Sequence, residues 1–328
     1  MAITGQDIEQ AKAILQQGGL VAIPTETVYG LGANALDAAA VAQIFQVKER
    51  PAFDPLIVHL PHKDHLIRYA KEIPTLAWRF AEAFWPGPVT MILPKHDLIP
   101  PLVTSGLNTV GLRVPRHPLT QQLLAALPFP LAAPSANPFG YISPTTAHHV
   151  DVMLGHRIPY ILDGGPATVG IESTIIGFEN NQVVVYRLGG KSIEDFERVA
   201  GARRINLRLN SSSDPTAPGM LKSHYAPRLP LLAGKPAELL LQHQPQQVGV
   251  LAYTTPLPGI PADNQRVLSA RGNPAEAAQN LFGAMRYLDG RPVKVILAEY
   301  LPETGLGKAI NDRLRRAAAN TIYNQETQ

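Results

Sequence analysis

Hydroxyls, a carboxylate and two glycines crowd into the nine positions Pro24-Thr25-Glu26-Thr27-Val28-Tyr29-Gly30-Leu31-Gly32, directly after the apolar run Leu20-Val21-Ala22-Ile23. Such a run makes a poor core and a good binding surface. Hydroxyls and backbone N–H groups converge on a small polar ligand, and glycine lets the backbone approach it. An ordinary strand-end turn is the competing reading. Lys48 and Arg50 stand at the C-terminal end of an expected helix, before Pro51. They either complement the helix dipole or clamp phosphates. Arg113 lies inside Val110-Gly111-Leu112-Arg113-Val114. An arginine in an apolar strand needs a structural ion pair or a ligand, and its fork suits a carboxylate or a phosphate.

Further polar groups stand at the ends of apolar runs. Ser135-Ala136-Asn137 follows Leu131-Ala132-Ala133, a location where α/β sheets bind ligands. Ser143-Pro144-Thr145 comes next, with a helix cap before 145–153 as the alternative role of Ser143. Gly170-Ile171-Glu172-Ser173-Thr174 again sets hydroxyls beside glycine, and Arg187 ends another apolar run. His224-Tyr225-Ala226-Pro227 falls in a segment that no core claims. Familiar constellations are missing. There is no G-x-x-x-x-G-K-[ST] loop and no G-x-S-x-G elbow, and Tyr29–Asn34 lacks the third glycine of a dinucleotide fingerprint. His148-His149 has no i, i+4 zinc spacing. The polar groups therefore read as a binding and alignment site, not as a nucleophile with its base.

The elements that must position these groups follow from periodicity and breakers. Helices are expected over 6–17 (capped by Thr4), 38–47, 66–85 with a break at Pro74, and 119–127. Strands are expected at 20–23, 56–60, 89–93, 109–114, 131–133, 160–162, 173–176 and 183–188. Their irregular alternation predicts an α/β domain with a mixed sheet. Around 200–228 the pattern gives way to Ser211-Ser212-Ser213-Asp214-Pro215-Thr216-Ala217-Pro218-Gly219, which is linker composition. Regularity then returns: strands at 229–232, 248–253, 266–269 and 293–298, with helices near 235–242, 274–289 and 307–319. The expected organisation is a catalytic domain at 1–200, a linker at 201–228 and a smaller Rossmann-like βα domain at 229–328.

Composition bounds the class. With 328 residues, 45% hydrophobic and 17% charged, the chain is globular and long enough for two cores. No apolar stretch can span a bilayer, and the first residues carry no secretory pattern, so a cytoplasmic location is expected. The absence of cysteine excludes disulfides, thiolate zinc sites and cysteine nucleophiles. The net charge of +3 is compatible with a phosphate-rich partner without requiring nucleic acid. Arg203-Arg204 and Arg313-Leu314-Arg315-Arg316 read as solvated faces.

Taken together, Pro24–Gly32, Lys48-Glu49-Arg50-Pro51, Pro55–His59, Ala133–Asn137, Ser143-Pro144-Thr145, Ile161–Gly165 and Gly170–Ile176 resemble the YrdC-like threonylcarbamoyl-AMP synthases, in order and with compatible spacing from about Ile8 to Gly190. Pro218-Gly219-Met220, His224-Tyr225-Ala226-Pro227 and the βα domain resemble the family's longer, two-domain form. The resemblance implies a nucleotidyl transfer: L-threonine, bicarbonate or CO2, and ATP give threonylcarbamoyl-AMP and pyrophosphate. The product then passes to the machinery that modifies an adenosine beside the tRNA anticodon. Neither a membrane nor direct tRNA contact is required.

By the same resemblance Arg113 pairs with the threonine carboxylate, and Thr27, His59 and Ser173 line the amino-acid pocket. Lys48 and Arg50 neutralise the triphosphate. Ser135, Asn137 and Ser143 hold the nucleotide, and Arg187 reaches its phosphates. His224 and Tyr225 belong to a lid-like linker on the ATP side. Mg²⁺ would arrive on the ATP phosphates with no dedicated protein site. Two departures stand out. Asp54 occupies a position where the family often has asparagine, and Leu221 and Ser223 replace a basic residue and an aromatic. A non-catalytic RNA-binding module is the alternative, weakened by the lack of an aromatic-rich stacking stretch.

Overall fold

The structure, a computed structural model, describes residues 1–201, 204–209 and 224–326, with side chains to 319. It divides into two compact units. The first comprises Met1–Phe139, Pro144–Thr168 and Glu172–Leu221; the second comprises Gly140–Ser143, Val169–Ile171 and Lys222–Gln328. Arg203, Pro218-Gly219-Met220, Leu221 and Ser223 lie outside the described residues.

The first unit is built on a mixed sheet. Its strands are β1 (Ile3–Gly5), β2 (Val21–Ile23), β3 (Gly30–Asn34), β4 (Ile57–His59), β5 (Val89–Pro94), β6 (Thr109–Arg113), β7 (Leu131–Ala132), β8 (Tyr160–Leu162), β9 (Thr174–Glu179), β10 (Gln182–Arg187) and β11 (Ile205–Leu207). Their order is β1-β8-β2-β3-β7-β4-β6-β5-β9-β10-β11. Parallel pairs such as β4/β6 and β5/β9 alternate with antiparallel ones such as β3/β7 and β5/β6. Around it are helices α1 (Ile8–Gln16), α2 (Ala38–Lys48), α3 (Leu66–Tyr69), α4 (Thr75–Phe84), α5 (Pro118–Ala126), α6 (Ala147–Leu154) and α7 (Ile193–Ala200). The β4/β6 register pairs His59 with Arg113. Paired residues of parallel strands share a face, so both side chains leave the sheet together.

Local chemistry explains the element ends. The Asp7 carboxylate caps α1 by accepting the Gln10 N–H, which corrects the expected Thr4 cap; Thr4 lies in β1. Asp37 caps α2, which stops at Glu49 in the left-handed region and leaves Lys48 buried in its last turn. Helix α7, unread in the sequence, opens with a reciprocal Ser192–Asp195 capping box. Its Phe196 joins Phe80 and Phe84 of α4 in an aromatic cluster, with ring centroids 5.2–5.4 Å apart. Strand β3 was also unread, because its residues Gly-Leu-Gly-Ala-Asn have low strand propensity. Pairing with β2 and β7 overrides that propensity.

The second unit holds an all-parallel sheet ordered β12-β15-β13-β14, from strands Leu231–Gly234, Val295–Glu299, Val248–Ala252 and Gln265–Val267. A short α8 (Pro236–Leu239) precedes α9 (Pro274–Asp289) and α10 (Leu306–Glu326). Val248, Val250, Val295 and Leu297 form one side of its core. Two pieces from earlier in the chain are stitched to α9. The Tyr141 hydroxyl donates to Asp289 at 2.6 Å, and Arg286 Nε donates to the Ser143 carbonyl at 3.2 Å. Gly170, at φ +79°, lies so close to α9 that a Cβ would sit 2.4 Å from Gln279 Cα. Arg313 and Arg316 are buried at 0% and 5% exposure, which corrects the solvated-face reading. Both reach Asp312, and α10 packs them inward.

Candidate active site

The Thr25–Tyr29 segment is wound around one hydroxyl. Thr25 Oγ1 donates to the Val28 carbonyl at 2.6 Å and accepts the N–H groups of Thr27 and Val28 at 3.2 Å. Thr27 Oγ1 lies 2.7 Å from it. This turn buries Glu26 and points it at Arg113. Arg113 Nη2 donates to Glu26 Oε1 at 2.8 Å and to Thr27 Oγ1 at 2.9 Å, while its Nε donates to the Gly87 carbonyl at 3.3 Å. The second Glu26 oxygen accepts the Arg116 N–H at 2.9 Å. Position 87 has to be glycine, because a Cβ there would lie 2.3 Å from the Phe84 carbonyl. Arg113 is thus an ion-paired residue, yet its Nη1 carries no hydrogen bond among the described residues.

His59 lies beside Arg113 and is almost fully buried. Burial, with the Arg113 charge added, pushes its imidazole down to about 3, so the ring is neutral at physiological pH. Its Nδ1 has no hydrogen-bond partner among the described residues. Farther along the sheet, Ser173 Oγ sits 2.8 Å from Thr90 Oγ1, and Arg187 Nη2 donates to it at 3.2 Å. Arg187 also grips the Ser173 carbonyl through Nε and Nη2, at 3.2 and 2.9 Å.

A second cationic group forms where α2 ends. Lys48 Nζ donates to the Ser135 carbonyl at 2.6 Å and to the Asn137 carbonyl. Phe139 returns its N–H to the Lys48 carbonyl at 2.8 Å, which ties the 135–139 loop to the helix. Arg50 donates to the carbonyls of Asp54 and Pro55 at 3.0 and 2.9 Å and ion-pairs with Asp54 Oδ2 at 2.9 Å. Burial and the neighbouring Arg50 charge lower the Lys48 ammonium well below its ordinary range, against the pull of Asp54. These cations hold the carbonyls of neighbouring loops, which a simple dipole complement would not do.

The structure therefore brings Thr27, His59, Arg113, Ser173, Arg187, Lys48, Arg50, Ser135 and Asn137 into one unit, all but Ser135 buried. It adds Glu26 and Thr90, whose roles the sequence did not signal. A carboxylate within the Pro24–Gly32 motif and a hydroxyl inside the apolar run 89–93 were the available hints. Ser143 belongs to the second unit, and Thr146, not Ser143, caps α6. His224 and Tyr225 also belong to the second unit, whose core does claim them. The Tyr225 ring is 1% exposed, stacks on Phe282 at 5.6 Å and lies under Arg313 at 5.3 Å. Among the described residues no cluster of three or more metal-ligating side chains occurs.

Buried cations, hydroxyls and a neutral imidazole on a mixed α/β sheet form an arrangement with the chemistry to bind and align anionic reactants. Residues 13–189 match the Sua5–YciO–YrdC family model, described as telomere recombination, and residues 191–319 match that of the threonylcarbamoyl-AMP synthase C-terminal domain. Curated relatives include the threonylcarbamoyl-AMP synthases of Pyrococcus abyssi and Bacillus subtilis. They are 42% and 40% identical, each over 96% of this chain, and 95% and 94% of their own lengths are covered. The crystal structure of P. abyssi Sua5 complexed with L-threonine superposes with a TM-score of 0.89 at 39% identity, covering 98% of both chains. The chain belongs to the threonylcarbamoyl-AMP synthase family, in its two-domain Sua5 form.

Proposed function

We propose that this protein joins L-threonine, bicarbonate or CO2, and ATP into threonylcarbamoyl-adenylate with release of pyrophosphate. The observation that carries this reading is Arg113. Its Nε and Nη2 are pinned by Gly87, Glu26 and Thr27, and its Nη1 carries no hydrogen bond among the described residues. A guanidinium held in that way offers one donor group of fixed direction to a carboxylate. Threonine binds there through its α-carboxylate, with Thr27, His59 and Ser173 around its polar groups. Neutral His59 orients the amino acid and does not carry protons at pH 7, because its pKa lies near 3.

The chemistry needs alignment more than a protein nucleophile. The threonine amine adds to CO2, loses a proton and becomes a carbamate. A carbamate oxygen then forms a bond to the α-phosphorus of ATP, the bond from that phosphorus to the bridging oxygen breaks, and pyrophosphate leaves with the electron pair. Charge builds on the phosphates, so buried cations at fixed positions stabilise the step. Lys48, Arg50 and Arg187 supply them, and Ser135 and Asn137 shape the nucleotide side. Mg²⁺ bound to the ATP phosphates would supply further charge neutralisation there, with no dedicated protein ligand set. The cationic surroundings fit that arrangement better than an all-protein metal cage, since Asp54 is already engaged by Arg50. The product serves tRNA threonylcarbamoylation, in the cytoplasm. Residues 1–200, apart from Gly140–Ser143 and Val169–Ile171, form the catalytic domain, 201–228 the linker and 229–328 an appended domain, to whose compact unit His224 and Tyr225 already belong.

Mass spectrometry of a reaction containing ATP, Mg²⁺, L-threonine and bicarbonate tests this, with each component omitted in turn. A threonylcarbamoyl-adenylate peak that requires all substrates is expected. Salt-dependent RNA binding with no nucleotide product would overturn the reading in favour of an RNA-binding module.

A further inference from the structure

Asp54 presents a buried carboxylate to a group of cations. Its side chain is 0% exposed and lies 2.9 Å from Arg50 Nη2. Neither of its oxygens accepts an aligned hydrogen bond from a described residue. Burial raises the Asp54 carboxyl above its ordinary range, and the charges of Arg50, then Lys48 and Arg187, pull it back toward the ionised form. A carboxylate that braces the fold collects directional bonds, as Glu26 does from Arg113 and the Arg116 N–H. Asp54 has positive charge around it instead.

The cations spend their directional bonds elsewhere. Lys48 donates to the Ser135 and Asn137 carbonyls, Arg50 to the Asp54 and Pro55 carbonyls, and Arg187 to Ser173. Neutral carbonyls orient cations without cancelling their charge. Burying like charges together without an anion is strongly unfavourable. A carboxylate that contributes charge but no aligned hydrogen bond among the described residues, beyond its 2.9 Å ion pair with Arg50, is matched to that need.

We infer that Asp54 is the resident counter-anion of the phosphate site: its carboxylate balances Lys48, Arg50 and Arg187 and opposes an entering polyphosphate, setting how tightly triphosphate and pyrophosphate are held. This rests on the reading of the cations as the triphosphate site. Opposition of this kind is useful to an enzyme that must release pyrophosphate. Cations strong enough to hold the transition state would otherwise retain the product. Replacing the carboxylate by an amide preserves the side-chain shape and raises the positive charge of the group by one unit.

Titration calorimetry with inorganic tripolyphosphate and with pyrophosphate reads this directly, on the wild-type chain, Asp54→Asn and Asp54→Glu. Asp54→Asn is expected to bind both polyanions about tenfold tighter, the effect of one charge at this range in a partly screened site. Asp54→Glu retains the charge and stays close to wild type. Equal or weaker binding by a folded Asp54→Asn overturns the inference. If Asp54→Asn and Asp54→Ala both fail to fold, the carboxylate serves the fold and the inference is equally overturned. Polyanion binding by wild type that does not change in the variant sinks the counter-anion alone. No polyanion binding by any folded chain sinks the triphosphate reading as well.

Discussion

Arg113→Lys separates ligand recognition from structure at one position. The guanidinium makes bonds of 2.8, 2.9 and 3.3 Å to Glu26, Thr27 and Gly87, and its Nη1 carries no hydrogen bond among the described residues. An ammonium keeps the charge but cannot hold all these directions from one planar fork. If it stays with Glu26, the substrate loses a charge-assisted hydrogen bond of about 1.5–3 kcal/mol, which is about a 10- to 150-fold rise in threonine Kd. The Gly87 carbonyl and Thr27 hydroxyl also lose their donor, so stability falls by about 1–3 kcal/mol. Calorimetric titration with L-threonine and a thermal melt on the same preparation read the two effects. Glu26→Gln is the control. It retains Arg113 but breaks the buried ion pair, so it should cost about 3–5 kcal/mol of stability. Its threonine affinity should fall less than that of Arg113→Lys. If Arg113→Lys melts early yet binds threonine with wild-type affinity, the arginine is purely structural and the pocket assignment is wrong.

Other outcomes follow from the same geometry. His59 is neutral in the folded chain down to about pH 3, against an ordinary value of 6.5. The unfolded chain therefore binds the extra proton between those limits, and stability must fall as pH drops through that window. Melting curves from pH 7 to 4 should show this slope in wild type and a shallower one in His59→Gln; identical slopes would refute it. Lys48→Met removes a buried cation and leaves two carbonyls without their donor. Adenylate formation should fall at least about 100-fold, the loss of a fixed charge at the transferring phosphate, while threonine still binds. Retained turnover, read by pyrophosphate release, would exclude Lys48 from the reaction. Tyr225→Ala empties space between Phe282 and Arg313. It should destabilise the second unit by about 3–5 kcal/mol, seen as an earlier melting transition; an unchanged transition would contradict the packing.

The element pattern was largely legible in the sequence. Helices such as Ala38–Lys48 and Pro274–Asp289 declare themselves by apolar spacing and caps, which are local properties. So do strands such as Val89–Pro94 and Val248–Ala252, by β-branched and apolar runs. Strand β3 and helix α7 were missed. A Gly-rich strand exists only because β2 and β7 flank it; α7, by contrast, did carry local signals, a Ser192–Asp195 capping box and apolar Ile193, Phe196, Val199 and Ala200 on one face, but in a segment of only eight residues. Arg313 misled because a basic run has no local sign that α10 turns it inward.

The family resemblance supplied His59 and the roles at the site; residue type and local position singled out Thr27, Lys48, Arg50, Arg113, Ser173 and Arg187 as polar groups. The latter is information carried by each segment alone. Tertiary structure decided their partners. Glu26 and Arg113 are 87 positions apart, and Lys48 and Asn137 are 89 apart. No local rule links such residues. The β4/β6 register, the Thr25 turn and the end of α2 bring them within bonding distance, and burial then sets which charges persist. Sequence determined which chemical groups are available. The pairing of Glu26 with Arg113, the neutrality of His59 and the placement of Asp54 among cations were decided only in the fold, because distance and dielectric are properties of packing.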